Sequence, residues 1–558
     1  MGTLNRLGNL LEVKHDKIQS ENASGNEDTY PLPPERRTFG PWEFVTLWVI
    51  TGSFNIGGWT TGSSLIALGL NAWQCMITVI IGNLLVGIFC ILSGAPGAKW
   101  HIGFPIIQKA CWGVHAFRFV VIQRVFLACI WFSTQVYWGG QCVKTLLTAM
   151  SPAFANLDTE LANGTMTTGD FVSFIVFTLL YLPLMWIKPE KYKVPFLISC
   201  LLVIPTIFIT LIWFTAKAGG GGSFLQDVSA VAVQAKGSHL GWMMVLGICT
   251  NISSISVHIY VQSDYTRYAR RPKDQILAQM VMVPLGTIIV ALIGIICTSC
   301  AAQIFPEKSG TLLWEPYRLF SALQAHYNNS PRSRAAAAFG SLSFMIAQFG
   351  MVVANNGVSA GIDLASLFPR FFTIRRGMYL MACLAFIVQP WQLLNGASKF
   401  LNVLGGYGVF LGPMTGIMFA DYFIVRRRLY KLTDLYKVNN ESIYWYRKGA
   451  NLRAFGAWVM GVWITLPGFA QRVSDPSVEL AGWSHMYYFS WPLGTLLSMA
   501  TYWGLCRLKP MKGIGEIDDE DVFGTFGRRT VDGVEDGSTS SAVEVEVEKG
   551  KGDVSVTF

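Results

Sequence analysis

"VITGSFNIGGWTTGSS", residues 49–64, lies in the first long apolar run of the chain and reads poorly as a plain membrane anchor. An anchor needs about 20 predominantly apolar residues, whereas this stretch places Thr51, Ser53 and Asn55 among four glycines. The sixth apolar run, "LGICTNISSISVHIY" (residues 246–260), repeats the pattern with Thr250, Asn251 and three serines. Backbone at mid-membrane leaves helical geometry only where it lines a cavity or is buried in protein. Small and hydroxyl residues in one span alone would be explained by close helix packing. Two interruptions at corresponding places in successive blocks of about five spans point instead to a secondary transporter with inverted repeats.

The composition agrees with a membrane setting. Of 558 residues, 52% are hydrophobic and 14% charged, with a mean hydropathy of +0.40; soluble domains carry about 25% charged residues. Twelve apolar segments, centred near residues 55, 82, 132, 179, 206, 250, 290, 350, 384, 408, 461 and 496, predict an all-α polytopic protein. The first forty residues are polar and mixed in charge, so no cleavable signal peptide is expected. With the N-terminus cytoplasmic, the inner loops carry 21 basic residues against seven in the outer loops, which places both ends in the cytoplasm. The loop "SPAFANLDTELANGTMTTGD" (151–170) has no Lys or Arg and contains the sequon Asn163-Gly-Thr165; a second sequon begins at Asn328. The net charge of +9 therefore reflects membrane orientation and not nucleic-acid binding. The eleven cysteines are scattered, and the pair in "CTSC" (297–300) reads as helix packing, not as a metal site. No HExxH or GxSxG constellation is present, so an enzyme is not expected.

Within the third segment, "CIWFSTQVYWGGQ" (129–141) puts Trp131, Gln135 and Trp138 on one helical face. An indole plate one turn from an amide suits a flat, hydrogen-bonding ligand, and it also suits interhelical packing. In the eighth segment, "AQFGMVVANNGVSAGIDLASLFPRFFTIRRG" (347–377), the neighbours Asn355 and Asn356 cannot share a face: one points to a cavity and the other to the scaffold. Phe54 and Asn55 fall at the expected break of the first span, and Ser254 at that of the sixth. Carboxylates are scarce. Asp264 and Asp363 sit at cytoplasmic span ends, each followed by arginines, as an ion-pair gate or as solvated helix ends. Glu43, Asp264 and His258 are the titratable groups placed for proton coupling.

Six stretches in order, "PPERRTFGPWEFVTLWV", "GAPGAKWHIGFPIIQKACWG", "IWFSTQVYWGGQCV", "SDYTRYARRPKDQ", "NNGVSAGIDLASLFPRFFTIRRG" and "LGPMTGIMFADYFIVRRR", resemble the nucleobase–cation symporter-1 family, and within it the fungal uracil, uridine and allantoin permease branch. The resemblance runs from about Pro33 to Leu508. It implies a five-plus-five inverted-repeat, LeuT-like core with two extra helices, and a substrate held at mid-membrane by helices one, three, six and eight. By the same resemblance, Trp131 matches the aromatic that stacks on the base, Gln135 its neighbouring glutamine, and Asn356 the eighth-helix asparagine; Trp138 is left as packing. Gly350 and Met351 stand where sodium-driven members place hydroxyl residues, which is consistent with a co-transported proton and no other cofactor. "VQSDYTR" (261–267) is similar to the thiamine and nicotinamide-riboside relatives, so the substrate stays open between a neutral base and these cations.

The resulting expectation is a plasma-membrane proton symporter importing a planar heterocycle such as uracil, uridine, allantoin or uric acid. A thiamine or nicotinamide-riboside carrier and a non-transporting nutrient sensor are the alternatives. The partners expected are the small-molecule substrate, the lipid bilayer and cytoplasmic trafficking or ubiquitination machinery acting on the tails, where Lys549 and Lys551 lie. The chain divides into an N-terminal tail (1–40), a transport core (41–425), a cytoplasmic loop with the last two helices (426–508) and an acidic, disordered tail (509–558).

Overall fold

The computed structural model describes residues 28–526, apart from 188–190, 309, 476–477 and 479. The described chain is mostly helical, and its only sheet is a two-stranded hairpin, Glu160–Leu161 against Met166–Thr167. That hairpin lifts Asn163 of the first sequon to an exposed tip.

The first span is broken, as its composition predicts. Helix α1 (Pro41–Trp48) loosens into a π-helical turn, Val49–Ser53, and the chain then becomes non-helical at Phe54 and extended at Asn55. Helix α2 (Ile56–Ser63) restarts with the Asn55 side chain as its cap, Oδ1 accepting from Gly58 N at 3.0 Å. Long continuous helices follow: α3 (Ala72–Trp100), the short α4 (Phe104–Trp112), α5 (Phe117–Met150), α6 (Thr168–Tyr181) and α7 (Lys193–Ala218). The sixth span is also interrupted. Helix α8 (Gly237–Ser254) ends at Ile255 and a short α9 (Ser256–Tyr260) continues. After α10 (Val283–Ile304) and the loop helix α11 (Pro316–His326), the eighth span runs as α12 (Pro331–Phe349), a π-helical stretch Gly350–Gly357, and α13 (Val358–Leu367). Helices α14 (Ile374–Ile387), α15 (Ala397–Phe419), α16 (Leu452–Trp463), α17 (Leu466–Ser474) and α18 (Ser490–Leu508) complete the bundle.

Among the described residues, seven helices are long and apolar enough to cross a membrane, or eight if α16 and α17, bent by 46°, form one span. The first span falls outside this set because each of its halves is only eight residues long. Two glycines set the depth of the packing. A Cβ on Gly62 of α2 would lie 2.6 Å from the Ala291 carbonyl oxygen, and one on Gly294 of α10 would lie 2.6 Å from that of Trp59. The broken helix therefore meets α10 at backbone contact, which bulkier residues would prevent.

The segment after Lys509, expected to be disordered, is ordered as far as the described residues reach. Residues 510–526 fold back on the loop face: Lys431 pairs with Glu516 at 3.2 Å, Asp518 accepts from the backbone and hydroxyl of Thr433, and Arg37 donates to Thr525 O at 2.5 Å. The Phe523 ring lies 5.7 Å from Tyr30 and 5.1 Å from Tyr436. This short aromatic and polar seam anchors a segment whose composition alone would not fold. Positions 527–558 and 1–27, including Lys549 and Lys551, lie outside the described residues.

Candidate substrate site

Helix α5 carries the central face, and α12 packs along it. Trp131 is buried between aromatics: Phe400 of α15 lies near-parallel at 6.3 Å and 21°, Trp138 meets it edge-on at 5.9 Å, and Tyr407 at 6.3 Å. Tyr407 is itself held by its hydroxyl, which donates to Leu127 O at 2.9 Å. Trp138 is fully buried, with its ring centroid 5.7 Å from that of Phe400. Trp314, from the loop before α11, closes over Phe400 at 5.1 Å. Gln135 is fully buried beside the break of the first span: a Cβ on Gly57 would lie 3.6 Å from its Nε2 and 3.7 Å from the Trp138 ring. Its Oε1 accepts from Gln348 Nε2 of α12 at 2.8 Å. Gln135, Trp138, Gly57 and the Asn55 cap thus converge on one buried locus at the point where the helix breaks, with Trp131 one turn from Gln135 on the same face of α5 and edge-on to Trp138.

The other residues chosen from sequence fall around this locus in different roles. Phe54 is buried at the break. Asn355 is tied to the scaffold: Nδ2 donates to Thr51 O at 3.0 Å, and Oδ1 accepts from the Tyr265 hydroxyl at 3.1 Å. Asn356 points elsewhere, with Nδ2 donating to Met351 O at 2.8 Å across the π-helical turn. The two neighbours point to different faces, as adjacency requires, and both side chains bond within the protein. Ser254 turns back on its own helix, donating to Asn251 O at 2.7 Å. A surface cleft of about 50 Å³ near Ser223, Phe224 and Lys308 involves none of these residues.

A second cluster lies two turns along α5, around Arg124, and here one expectation needs correction. Asp264 and Asp363 are both fully buried, so neither is a solvated helix end. Arg267 does lie beside Asp264, both flanking Gly103, but the cation paired with Asp363 is not one of the arginines that follow it in sequence. It is Arg124 of α5, which is 2% exposed, pairs with Asp363 and donates to Ser359. Ser359 in turn donates to Asp264 Oδ2 at 3.2 Å, and Asp264 Oδ1 accepts from Phe104 N, at the start of α4, at 2.8 Å. Arg267 instead holds the N-terminal segment, donating to Asp28 O at 2.9 Å and Tyr30 O at 3.1 Å. Arg375 lies over the Trp186 ring at 4.2 Å. The sequence signal for Arg124 was available: it stands seven residues, two turns, before Trp131, on the same face of α5. Glu43 sits at the start of α1, where Oε2 accepts from Gly40 N at 3.1 Å and Oε1 lies 3.8 Å from Arg270. Outside both clusters, Asp421 is paired with Arg426 at 3.0 Å and accepts from the Tyr502 hydroxyl at 2.8 Å, fully buried.

The family model for permeases for cytosine/purines, uracil, thiamine and allantoin matches residues 31–494, most of the chain. The chain belongs to the nucleobase–cation symporter-1 family. It is 33% identical to a uridine permease of Saccharomyces cerevisiae over 498 residues, covering 88% of this chain and 75% of that one. It is 29% identical to a thiamine transporter of the same yeast, over 93% of this chain and 85% of that one. Among solved structures, it resembles Mhp1, a nucleobase–cation symport-1 family transporter in a closed conformation with bromovinylhydantoin bound. The TM-score is 0.68 at 17% identity, with 88% of this chain and 98% of that one covered. That likeness concerns the fold. As a member of this symporter family, the protein is a multi-pass membrane transporter of nucleobases and related compounds.

Proposed function

We propose that the protein is a proton-coupled importer of a planar, uncharged heterocycle such as uracil, uridine, allantoin or uric acid, working by alternating access in the plasma membrane with both termini cytoplasmic. The observation that carries this reading is the buried pairing of the Trp131 plate with the Gln135 amide at the break of the first span. A flat ligand gains stacking of about 1–3 kcal/mol per base on such a plate, and a buried amide left without a partner costs about 1–3 kcal/mol. Phe400 and Trp314 close this locus on one side. The Arg124, Asp363, Ser359 and Asp264 cluster, bonded onto α4, closes the other. Interrupted first and sixth spans support a twelve-helix, five-plus-five inverted-repeat architecture.

Coupling in this reading runs through the inner cluster. Asp363 is ion-paired with the buried Arg124, and Asp264 sits between Ser359 and Arg267, so a proton delivered to Asp363 breaks its pair and frees the Arg124 guanidinium. Asp264 and Asp363 are therefore the coupling pair in this reading; Glu43, capping α1 at the membrane edge, is a hinge support.

The thiamine or nicotinamide-riboside reading retains one supporting observation, the "VQSDYTR" stretch. A cationic ligand favours an available carboxylate or a cation–π contact, and the nearest carboxylates are engaged by Arg124 and Ser359. Uptake of labelled uracil in transporter-deficient cells, with excess unlabelled uridine, allantoin, uric acid, thiamine or nicotinamide riboside as competitors, tests the reading. Flux blocked by a neutral heterocycle and abolished by a protonophore is expected. Flux carried only by the cations contradicts the substrate, surviving flux under protonophore contradicts the coupling, and a substrate response without flux supports a sensor.

A further inference from the structure

Gln348 is a fully buried glutamine on α12 that no charge or span boundary explains. Its Nε2 donates twice, to Gln135 Oε1 at 2.8 Å and to Gln135 O at 3.0 Å. That leaves two buried polar atoms in the pair without a partner, the Gln135 Nε2 donor and the Gln348 Oε1 acceptor. The backbone fixes which way both amides are turned: a reversed Gln348 would set its Oε1 against the Gln135 carbonyl oxygen, acceptor on acceptor, so Nε2 faces Gln135 and the Gln135 Oε1 must accept from it. The remaining donor lies beside Gly57, at the helix break, with the Asn55 carbonyl oxygen of the side chain and Trp138 next to it. Orphaned buried polar groups are rare in folded proteins and mark places where something else completes the bonding.

Resting on the substrate reading above, we propose that Gln348 is a specificity-determining residue: it fixes the Gln135 amide with its donor toward the ligand and offers its own carbonyl oxygen to a ligand N–H. The pair then selects heterocycles that present a carbonyl next to an unsubstituted ring N–H, the lactam, imide or ureide edge. It disfavours N-alkylated analogues, which would leave the acceptor unpaired. Gln348 acts partly through Gln135, so a loss of uptake alone does not test this role.

The experiment measures competition by N-methylated analogues against whichever of labelled uracil, uridine, allantoin or uric acid the wild-type protein imports. For uracil, these are 1-methyluracil and 3-methyluracil. Wild type is expected to bind at least one methylated form 10- to 100-fold more weakly, about 1.4–2.8 kcal/mol. In Gln348→Met that gap is expected to fall below threefold, with KM for the parent compound raised and the maximal rate per surface transporter retained. If Gln348→Met is lost from the surface, Gln348→Leu carries the same test, since it too removes both the donor that holds Gln135 and the acceptor offered to the ligand N–H, and should shrink the methyl gap in the same way. An unchanged gap in a surface-expressed variant, or a wild type indifferent to methylation, overturns the role of Gln348 and leaves the importer reading intact. A wild type that imports only thiamine or nicotinamide riboside overturns both.

Discussion

Replacing Asp363 with alanine strips the buried Arg124 guanidinium of its ion-pair partner, leaving it the Ser359 hydroxyl and the more distant Asp264. Breaking one side of a buried pair costs about 3–5 kcal/mol because the surviving charge stays desolvated. Asp264 remains in the cluster, so the lower end, about 3 kcal/mol, is the expected cost. It falls only on the arrangement in which the cluster is dry; once water reaches Arg124 the penalty vanishes. The balance between closed and cytoplasm-open arrangements should therefore shift by about 100-fold toward the open one. Hydrogen–deuterium exchange on the protein in nanodiscs reads this directly. Exchange in Val358–Leu367 and in Phe104–Trp112 should rise by about two orders of magnitude in Asp363→Ala, while Ser490–Leu508 stays unchanged. Removing both charges in Arg124→Ala/Asp363→Ala should recover at least about tenfold of that change. Unchanged exchange, or a rise spread evenly along the chain, would refute the cluster as a gate.

Three further outcomes follow from the geometry. Trp131→Ala should raise KM about 5- to 150-fold, the equivalent of about 1–3 kcal/mol of lost stacking, with Trp131→Phe recovering most of it; uptake kinetics in cells with matched surface expression check this. Asp421→Ala should lower stability by about 3–5 kcal/mol by stranding the buried Arg426, seen as lower melting temperature and surface level, with the competitor profile of the remaining protein unaltered. Acidification should loosen the loop face through His101, which sits beyond the end of α3, is hydrogen-bonded to Arg267 O at 3.1 Å, and accepts from Leu32 N at 3.0 Å through its carbonyl. Burial first, and then the Arg37 and Arg267 charges, push this histidine down to about 4, against the opposing pull of the Arg267 carbonyl. A depressed histidine binds its proton more readily unfolded than folded, so its contribution is fully present above pH 6.5 and erodes as pH falls toward 4. The loss is about 2 kcal/mol by pH 5. Thermal unfolding of wild type and His101→Asn at pH 7 and pH 5 should show the acid penalty only in wild type.

The interrupted spans were legible because composition reports them: glycine, serine and asparagine in an apolar run have few other uses at that depth, and Phe54–Asn55 and Ile255 are where the helices break. The Trp131–Gln135 face was legible because helical periodicity is local. What the sequence left unread was pairing between distant segments. The acidic residues at 264 and 363 were visible and Arg267 does lie beside Asp264, but the partner of Asp363 is not a neighbouring arginine: Arg124 reaches it across 239 positions of chain. Gln348 lay inside a stretch chosen for its asparagines, and nothing local distinguishes a glutamine that orients another glutamine 213 residues away. Phe400 reaches Trp131 only because α15 folds against α5, a matter of tertiary packing.

The most direct test of the central claim is an electron cryo-microscopy structure of the full chain in nanodiscs, saturated with the heterocycle that competes best in uptake. Planar density stacked on the Trp131 ring, within hydrogen-bond distance of Gln135 Nε2 and beside Gly57, is the predicted result. Ligand density elsewhere, with the Trp131–Gln135 locus still filled by side chains alone, would contradict it.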